Sequence, residues 1–458
     1  MARPLPGGHA YCATGVKSIP LSFENISGVD TIAPDSGGQD HCDIFHHGHD
    51  RANADDILMQ RSRVNFLYLN IGHFLDHLFM LIFASVAALR LTAEWGMSYA
   101  ELVPYATPGF IAFGVGAVAA GWIADKWSRT GMIVIFFVGI GLSSILAGMA
   151  NTPLQIAASL TLIGIFAAIY HPVGLAMVVH GRERTGIPLA INGIYGNMGV
   201  ASAALVTGFL IDTAGWRSAF YLPGVVSILL GMSYLVFIRS GDDRVADQAD
   251  LQAETNKGAA PSSPRHVLVR VFAIIFFTTA LGGLIFQSTT FALPKIFAER
   301  LGEMADTATT VGWYAFLVFS LAALAQLVIG FLVDRHSIRL VFATVAMLQA
   351  VFFFIMTQLS GFAALLVGVA FMFAVFGQIP INDVLVGRMA RSEWRSRAYA
   401  LRYVVTFSVM ASAVPLIAWV HGSWGFERLF QILGVAAATI FAATLMLPGA
   451  ERRLRQSD

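Results

Sequence analysis

Apolar runs long enough to cross a bilayer alternate with short polar stretches along most of this chain. They fall at roughly 64–89, 100–124, 131–150, 154–178, 188–211 and 217–238, and again at roughly 267–292, 308–333, 339–358, 361–386, 398–420 and 427–447. A helix needs about 20 apolar residues to span hydrocarbon, so the pattern predicts twelve transmembrane helices and an all-α membrane protein. Between the sixth and seventh runs, Arg239 to Arg265 is rich in Asp, Gln, Ser and Pro, which reads as a flexible linker. Residues 1–62 are polar, and no short apolar run with a small-residue cleavage site precedes the first span. The expected organisation is a disordered tail over 1–62, a six-helix bundle over 63–238, a linker over 239–266, a second six-helix bundle over 267–448 and a short tail over 449–458.

Of the 458 residues, 56% are hydrophobic and only 12% charged. A soluble domain of this length could not cover so much apolar surface, whereas a bilayer is itself an apolar solvent. The formal net charge of +1 argues against nucleic acid as a partner. Both cysteines, Cys12 and Cys42, fall in the polar tail and cannot staple the apolar runs. Lys and Arg are divided unequally between the two sets of loops. Five (Arg90, Arg217, Lys295, Arg300 and Arg428) fall on one side, and the other 24 of the 29 on the opposite side. Cytoplasmic loops carry the excess of positive charge, so both termini and the linker are expected in the cytoplasm, with the chain multi-pass in a bacterial inner (plasma) membrane.

The two halves repeat. The second run ends in Gly121-Trp-Ile-Ala-Asp125-Lys126-Trp-Ser-Arg129, and the eighth in Gly330-Phe-Leu-Val-Asp334-Arg335-His-Ser-Ile-Arg339, 209 residues later. Pro172 in the fourth run is matched by Pro380 in the tenth, 208 residues later. A six-helix unit duplicated at a nearly constant offset marks a repeat-built transporter. The stretch over 121–129 resembles the loop motif G-x-L-x-D-[RK]-x-G-R-[RK] of the major facilitator superfamily. Ser128 stands in place of the motif's glycine and Thr130 in place of its last basic residue. The resemblance implies the major facilitator fold: two six-helix bundles rocking about a central site. It also implies a latch between the halves, made by Asp125, Lys126 and Arg129, with Asp334 and Arg335 as its counterpart. Asp383, close to the basic run from Arg388 to Arg402, is read as a further ion-pair latch.

Polar groups inside the apolar runs are the candidate chemistry. The first run contains Asn70, His73, Asp76 and His77. Ionisable groups at membrane depth cost at least a few kcal/mol and face the bundle interior or a wet cavity. At about 100° per residue, positions 73, 76 and 77 share one helical face. Asp76, His73 and His77 are therefore candidates for coupling to a proton gradient. In the fourth run, Ile169-Tyr170-His171-Pro172 sets an imidazole beside a proline that breaks the backbone ladder; with Asn70, Tyr170 and His171 are candidate substrate contacts. The fifth carries Gly193, Gly196, Asn197 and Gly199, a spacing of small residues that lets helices approach closely. A histidine then an aspartate in the first run, aromatic-His-Pro in the fourth and Gly-Asn-x-Gly in the fifth together resemble the fosmidomycin-resistance branch of proton-coupled exporters. This chain departs from that branch in having Asp76-His77 where the branch has Asn-Asp. In the second half, Gln287, Gln326, Gln378 and Asn382 lie within apolar runs. The first, fourth, seventh and tenth helices line the cavity in the superfamily, which makes Gln287 and Gln378 substrate contacts by resemblance.

These features predict a secondary active transporter, working as an antiporter for proton-coupled efflux of a small organic molecule or drug by alternating access. Its expected partners are that small molecule, protons and the bilayer, with the protein monomeric. No nucleophile–base–acid set and no complete metal site converges, so neither enzymatic activity nor a cofactor is expected. Two other readings stand beside this one. The segment holding His41, Cys42, His46, His47 and His49, together with the imidazoles His73, His77 and His171, has the ligand chemistry of a transition-metal or metal-chelate carrier. A non-transporting membrane sensor could also be built on such a scaffold.

Overall fold

The structure is a computed structural model in which residues 43–182, 185–240, 265–389 and 392–447 are described. Most of the expected linker, the C-terminal tail, and Cys12, His41 and Cys42 lie outside these residues, as do the side chains of His46, His47 and His49. The chain divides into two units, Met1–Gln60 and Arg61–Asp458. Of the first, helical backbone from Asp43 is described; the second holds all that follows.

Every regular element among the described residues is helical. In chain order the long ones are α1 (Asp43–Val86), α2 (Thr107–Lys126), α3 (Arg129–Met149), α4 (Pro153–Ala167), α5 (Gly186–Ala214), α6 (Ser218–Arg239), α7 (Arg265–Arg300), α8 (Ala308–Arg335), α9 (Ile338–Met356) and α10 (Gly361–Met389). A last element, Ser392–Leu445, holds two helices, α11 before Gly425 and α12 after it. Gly425 has φ 73°, a left-handed backbone that a residue with a Cβ rarely adopts. Among the described residues, eleven helices are long and apolar enough to cross a membrane, and the last of these, the 42 residues Val404–Leu445, contains the turn at Gly425. The chain therefore makes twelve spans.

Local chemistry accounts for the helix ends. Ser98 and Glu101 form a reciprocal capping box ahead of α2. Ser128, which departs from the superfamily motif, caps α3 by accepting the Gly131 N–H at 3.0 Å. Two arginines close carbonyl ends: Arg217 donates to the Gly148 and Ala150 carbonyls after α3, and Arg300 to those of Thr357 and Leu359 after α9. Beyond α4, Pro172 falls in a π-helical turn, Tyr170–Gly174, the local unwinding that a missing N–H invites.

Small residues set the closest crossings. A Cβ at Gly199 of α5 would overlap the Phe74 carbonyl oxygen of α1, so those helices touch backbone to backbone. The two halves meet in the same way at the end of the bundle that carries fewer Lys and Arg. There Gly208 packs on the Ala308 backbone, and a Cβ at Gly312 would stand 2.6 Å from the Ala204 carbonyl. Asp212 accepts the Thr309 N–H at 2.7 Å, and the Tyr99 ring lies 5.3 Å from that of His421.

Gly199→Ala should therefore lower the unfolding temperature in detergent, since overpacking a tight crossing costs about 1–3 kcal/mol. Gly330→Ala, in α8 where a Cβ meets open space, should leave it unchanged or raise it. Differential scanning fluorimetry of the two variants checks the pair.

Candidate functional site

Along α5 and α8, on the other side of these inter-half contacts, the two halves enclose a cavity of about 390 Å³. Its first-half wall is made by His73 and His77 of α1, Phe110 and Phe113 of α2, and His171 of the π turn. The second-half wall presents Gln287, Gln326, Gln378 and Asn382, with Asp383 and Arg402 beside Phe407.

On the first wall, Asn192 of α5 organises the polar groups. Its backbone carbonyl lies 2.8 Å from His73 Nδ1. A carbonyl only accepts, so Nδ1 carries the proton in this bond and Nε2 of the neutral ring offers a lone pair. That Nε2 lies 3.2 Å from His77 Nε2. The Asn192 side-chain amide donates to Asn70 Oδ1 at 2.9 Å and to the Tyr170 hydroxyl at 2.8 Å, and Tyr170 donates in turn to the Leu69 carbonyl at 2.6 Å. Asn70 and Tyr170 are thus buried behind the wall, with the Tyr170 ring stacked on His73 at 4.9 Å. Gly196 makes room for that imidazole, since a Cβ there would stand 2.6 Å from His73 Nε2. Asp76 is fully buried, with Oδ2 3.4 Å from His171 Nε2. His73, His77 and His171 come together closely enough to hold a metal ion, one ligand nitrogen from each lying within 4.8 Å of the others.

On the second wall, Gln349 donates to Gln378 Oε1 at 2.8 Å and so orients that amide. Gln378 Nε2 and Gln287 Nε2 have no hydrogen-bond acceptor among the described residues. Arg402 is only 8% exposed and is paired with Asp383. A buried guanidinium in a membrane cavity needs such a partner. Asp383 therefore faces the cavity rather than a loop.

Apart from Asp383, the expected latch residues lie away from the cavity. Asp125 pairs with Arg129 at 3.1 Å, Lys126 lies over the Trp122 ring at 4.2 Å, and Arg335 over the Phe331 ring at 3.8 Å. Asp334 is exposed beside Arg335. Two contributors escaped sequence reasoning altogether, and Arg402 entered it only as the end of the basic run beside Asp383. Arg402 sits inside the eleventh apolar run, and an ionisable residue at membrane depth is the signal that could have singled it out. Asn192 and the cavity face of Phe407 carry no such signal, because ordinary packing residues look the same.

Twelve helical spans around a polar cavity closed at one end define a membrane carrier. The sequence model of the Major Facilitator Superfamily matches residues 69–305 and 275–457. The chain belongs to that superfamily, and it is a secondary transporter rather than an enzyme. It is 25% identical over 392 residues to the 4-hydroxybenzoate transporter PcaK of Pseudomonas aeruginosa, covering 78% of this chain and 86% of that one. It is 29% identical to the gallate transporter of Pseudomonas putida over 147 residues, 31% of this chain and 32% of the relative. Among solved structures, the inward-open xylose transporter XylE of E. coli superposes with a TM-score of 0.65 at 14% identity, covering 85% of this chain and 98% of that one. A POT family transporter in complex with 5-aminolevulinic acid superposes with a TM-score of 0.68 at 13% identity, covering 83% and 94%.

Asn192→Ala should strand Asn70 Oδ1 behind the wall and cost about 1–3 kcal/mol, read as a lower unfolding temperature. Gly196→Ala should displace His73, and the change should appear in the histidine ring resonances of the labelled protein.

Proposed function

We propose that this chain carries a small organic anion, an aromatic carboxylate in the first instance, across the membrane by alternating access and in company with protons. The observation that carries this reading is Arg402, a buried guanidinium on the cavity wall held by Asp383. A guanidinium binds carboxylate as a planar fork. Next to it, the Phe113 and Phe407 rings stand 4.9 Å apart and offer an aromatic surface. The amide donors of Gln287 and Gln378 lack acceptors among the described residues and suit an oxygen-rich cargo. The name of the relative PcaK, a 4-hydroxybenzoate transporter, supports the same cargo class: one ring and one carboxylate.

Coupling follows from competition. Asp383 and a cargo carboxylate contend for one guanidinium, so a proton taken up by Asp383 frees Arg402 for the anion, and proton and anion then travel together. With the basic loops in the cytoplasm, the state described here is closed on the outer side. The two walls belong to different halves, so a cargo touching both changes the balance between facing states.

Export of a small organic molecule is the second reading. It is favoured by the resemblance of the His73, His171 and Asn197 segments to an exporter branch. A 28% identity over 148 residues to the puromycin resistance protein pur8 of Streptomyces alboniger, 31% of this chain and 29% of the relative, points the same way.

Radiolabelled 4-hydroxybenzoate in proteoliposomes with an imposed proton gradient tests the first reading. Accumulation is expected, with collapse on adding a protonophore. Arg402→Gln should reduce the rate at least tenfold, a loss of about 1.4 kcal/mol or more. Asp383→Asn should keep cargo exchange and lose uphill accumulation. Wild-type transport by Arg402→Gln would sink the anion reading. Drug resistance in an efflux-deficient host without benzoate uptake would favour export.

A further inference from the structure

We propose that His73, His77 and His171 form a binding site for a first-row transition-metal dication of the zinc and cobalt class, with Asp76 as the balancing charge. The site lies on the first-half wall and goes beyond the anion reading, which rests on Arg402 and Asp383 of the other half.

The geometry of the imidazoles comes first. His73 Nε2 and His77 Nε2 are 3.2 Å apart. Two nitrogens bound to one tetrahedral ion at about 2.0–2.1 Å stand about 3.3 Å from each other, so this pair, one helical turn apart on α1, is already at ligating separation. The turn around Pro172 brings in the third imidazole, and a ligand nitrogen of each lies within 4.8 Å of the other two. A rotation of one ring closes the set.

The surroundings of the rings point the same way. Metal-bound histidines commonly give their second N–H to a carbonyl or a carboxylate, which fixes the tautomer and orients the ring. His73 does so through Nδ1 to the Asn192 carbonyl at 2.8 Å, which directs the Nε2 lone pair at the cluster. His171 has the Asp76 carboxylate 3.4 Å from its Nε2. Gly196 leaves the His73 ring the space it needs.

Asp76 supplies an independent argument. It is fully buried, and neither carboxylate oxygen receives a well-aligned hydrogen bond among the described residues, the His171 ring 3.4 Å from Oδ2 being its ion-pair neighbour. A carboxylate at membrane depth requires compensating charge. A dication held by the three imidazoles supplies it, beside the His171 ring whose Nε2 lies 3.4 Å from Asp76 Oδ2. Three nitrogen ligands select zinc, cobalt, nickel or copper over magnesium and calcium, which take oxygen. Because all three histidines line the cavity, a fourth position stays open to water or to a donor atom of the cargo.

The test uses full-length protein in detergent, with His9, Cys12, His41, Cys42, His46, His47 and His49 each replaced by Ala so that the N-terminal tail offers no imidazole or thiol ligand. Titration with cobalt chloride should saturate at one ion per chain and raise the visible absorption of four- or five-coordinate Co²⁺, which zinc chloride then quenches by displacement. His77→Ala should abolish the band. Asp76→Asn should weaken affinity roughly 10–100-fold, as loss of an outer-shell partner does. His180→Ala should change neither. Zinc-edge X-ray absorption on the protein with its three histidines intact guards against a variant that fails to fold; it should show scattering from several imidazoles. Absence of the cobalt band in protein that elutes as a single folded species, a band that survives His77→Ala, or an all-oxygen zinc shell would each overturn the site. The cluster would then be a hydrogen-bonded imidazole chain.

Discussion

Hydrocarbon offers no hydrogen-bond partner, so each polar group that this chain takes into the bilayer must find one inside the protein. The helices satisfy their own backbone, and the side chains follow the same rule. Ser144 and Ser227 donate to the Phe220 and Phe137 carbonyls where α3 crosses α6. Asn192 holds Asn70, Tyr170 and His73 in one network, and Gln349 holds Gln378. Some groups among the described residues remain incompletely satisfied, at the cavity and also away from it, Tyr99, Thr107 and His421 among them. Asp76, Gln287 and Gln378 all have atoms in this state.

That placement divides the cavity into two chemistries. One wall is imidazole and carboxylate, held rigid by Asn192 and by the π turn at Pro172. The other is amide and ion pair, held by Gln349 and by the partnership of Arg402 with Asp383. The halves touch at one end through glycines and Asp212, and beside the cavity through the rings of Phe110 on Phe291 and Phe113 on Phe407. Such a seam suits two rigid bodies that separate and close again, and a ligand spanning both walls gains or loses contacts as they do so.

The span count and the duplication at an offset of 208 to 209 residues were legible in the sequence, because hydropathy acts within each run and needs no knowledge of neighbours. So was the shared face of His73 and His77, since i, i+4 spacing and depth in the membrane are local properties, whereas the approach of His171 to them was not. The division of labour among the remaining polar residues was not. Asn70 and Tyr170 look as available for a ligand as His171 does, yet Asn192, 122 residues from the one and 22 from the other, draws both behind the wall. Asp383 reads as a latch carboxylate near the basic run that ends at Arg402, yet it lines the cavity, paired with Arg402 itself.

By itself, then, the sequence determined how many times the chain crosses the membrane, which loops are basic and which polar groups are forced inside. Each of these depends on the transfer of single segments from water to lipid. Only the tertiary structure decided which of those groups pair with each other and which face open space. Those choices depend on helix crossings set by Gly196, Gly199 and Gly312, where the presence or absence of one methyl group fixes how closely two distant segments approach.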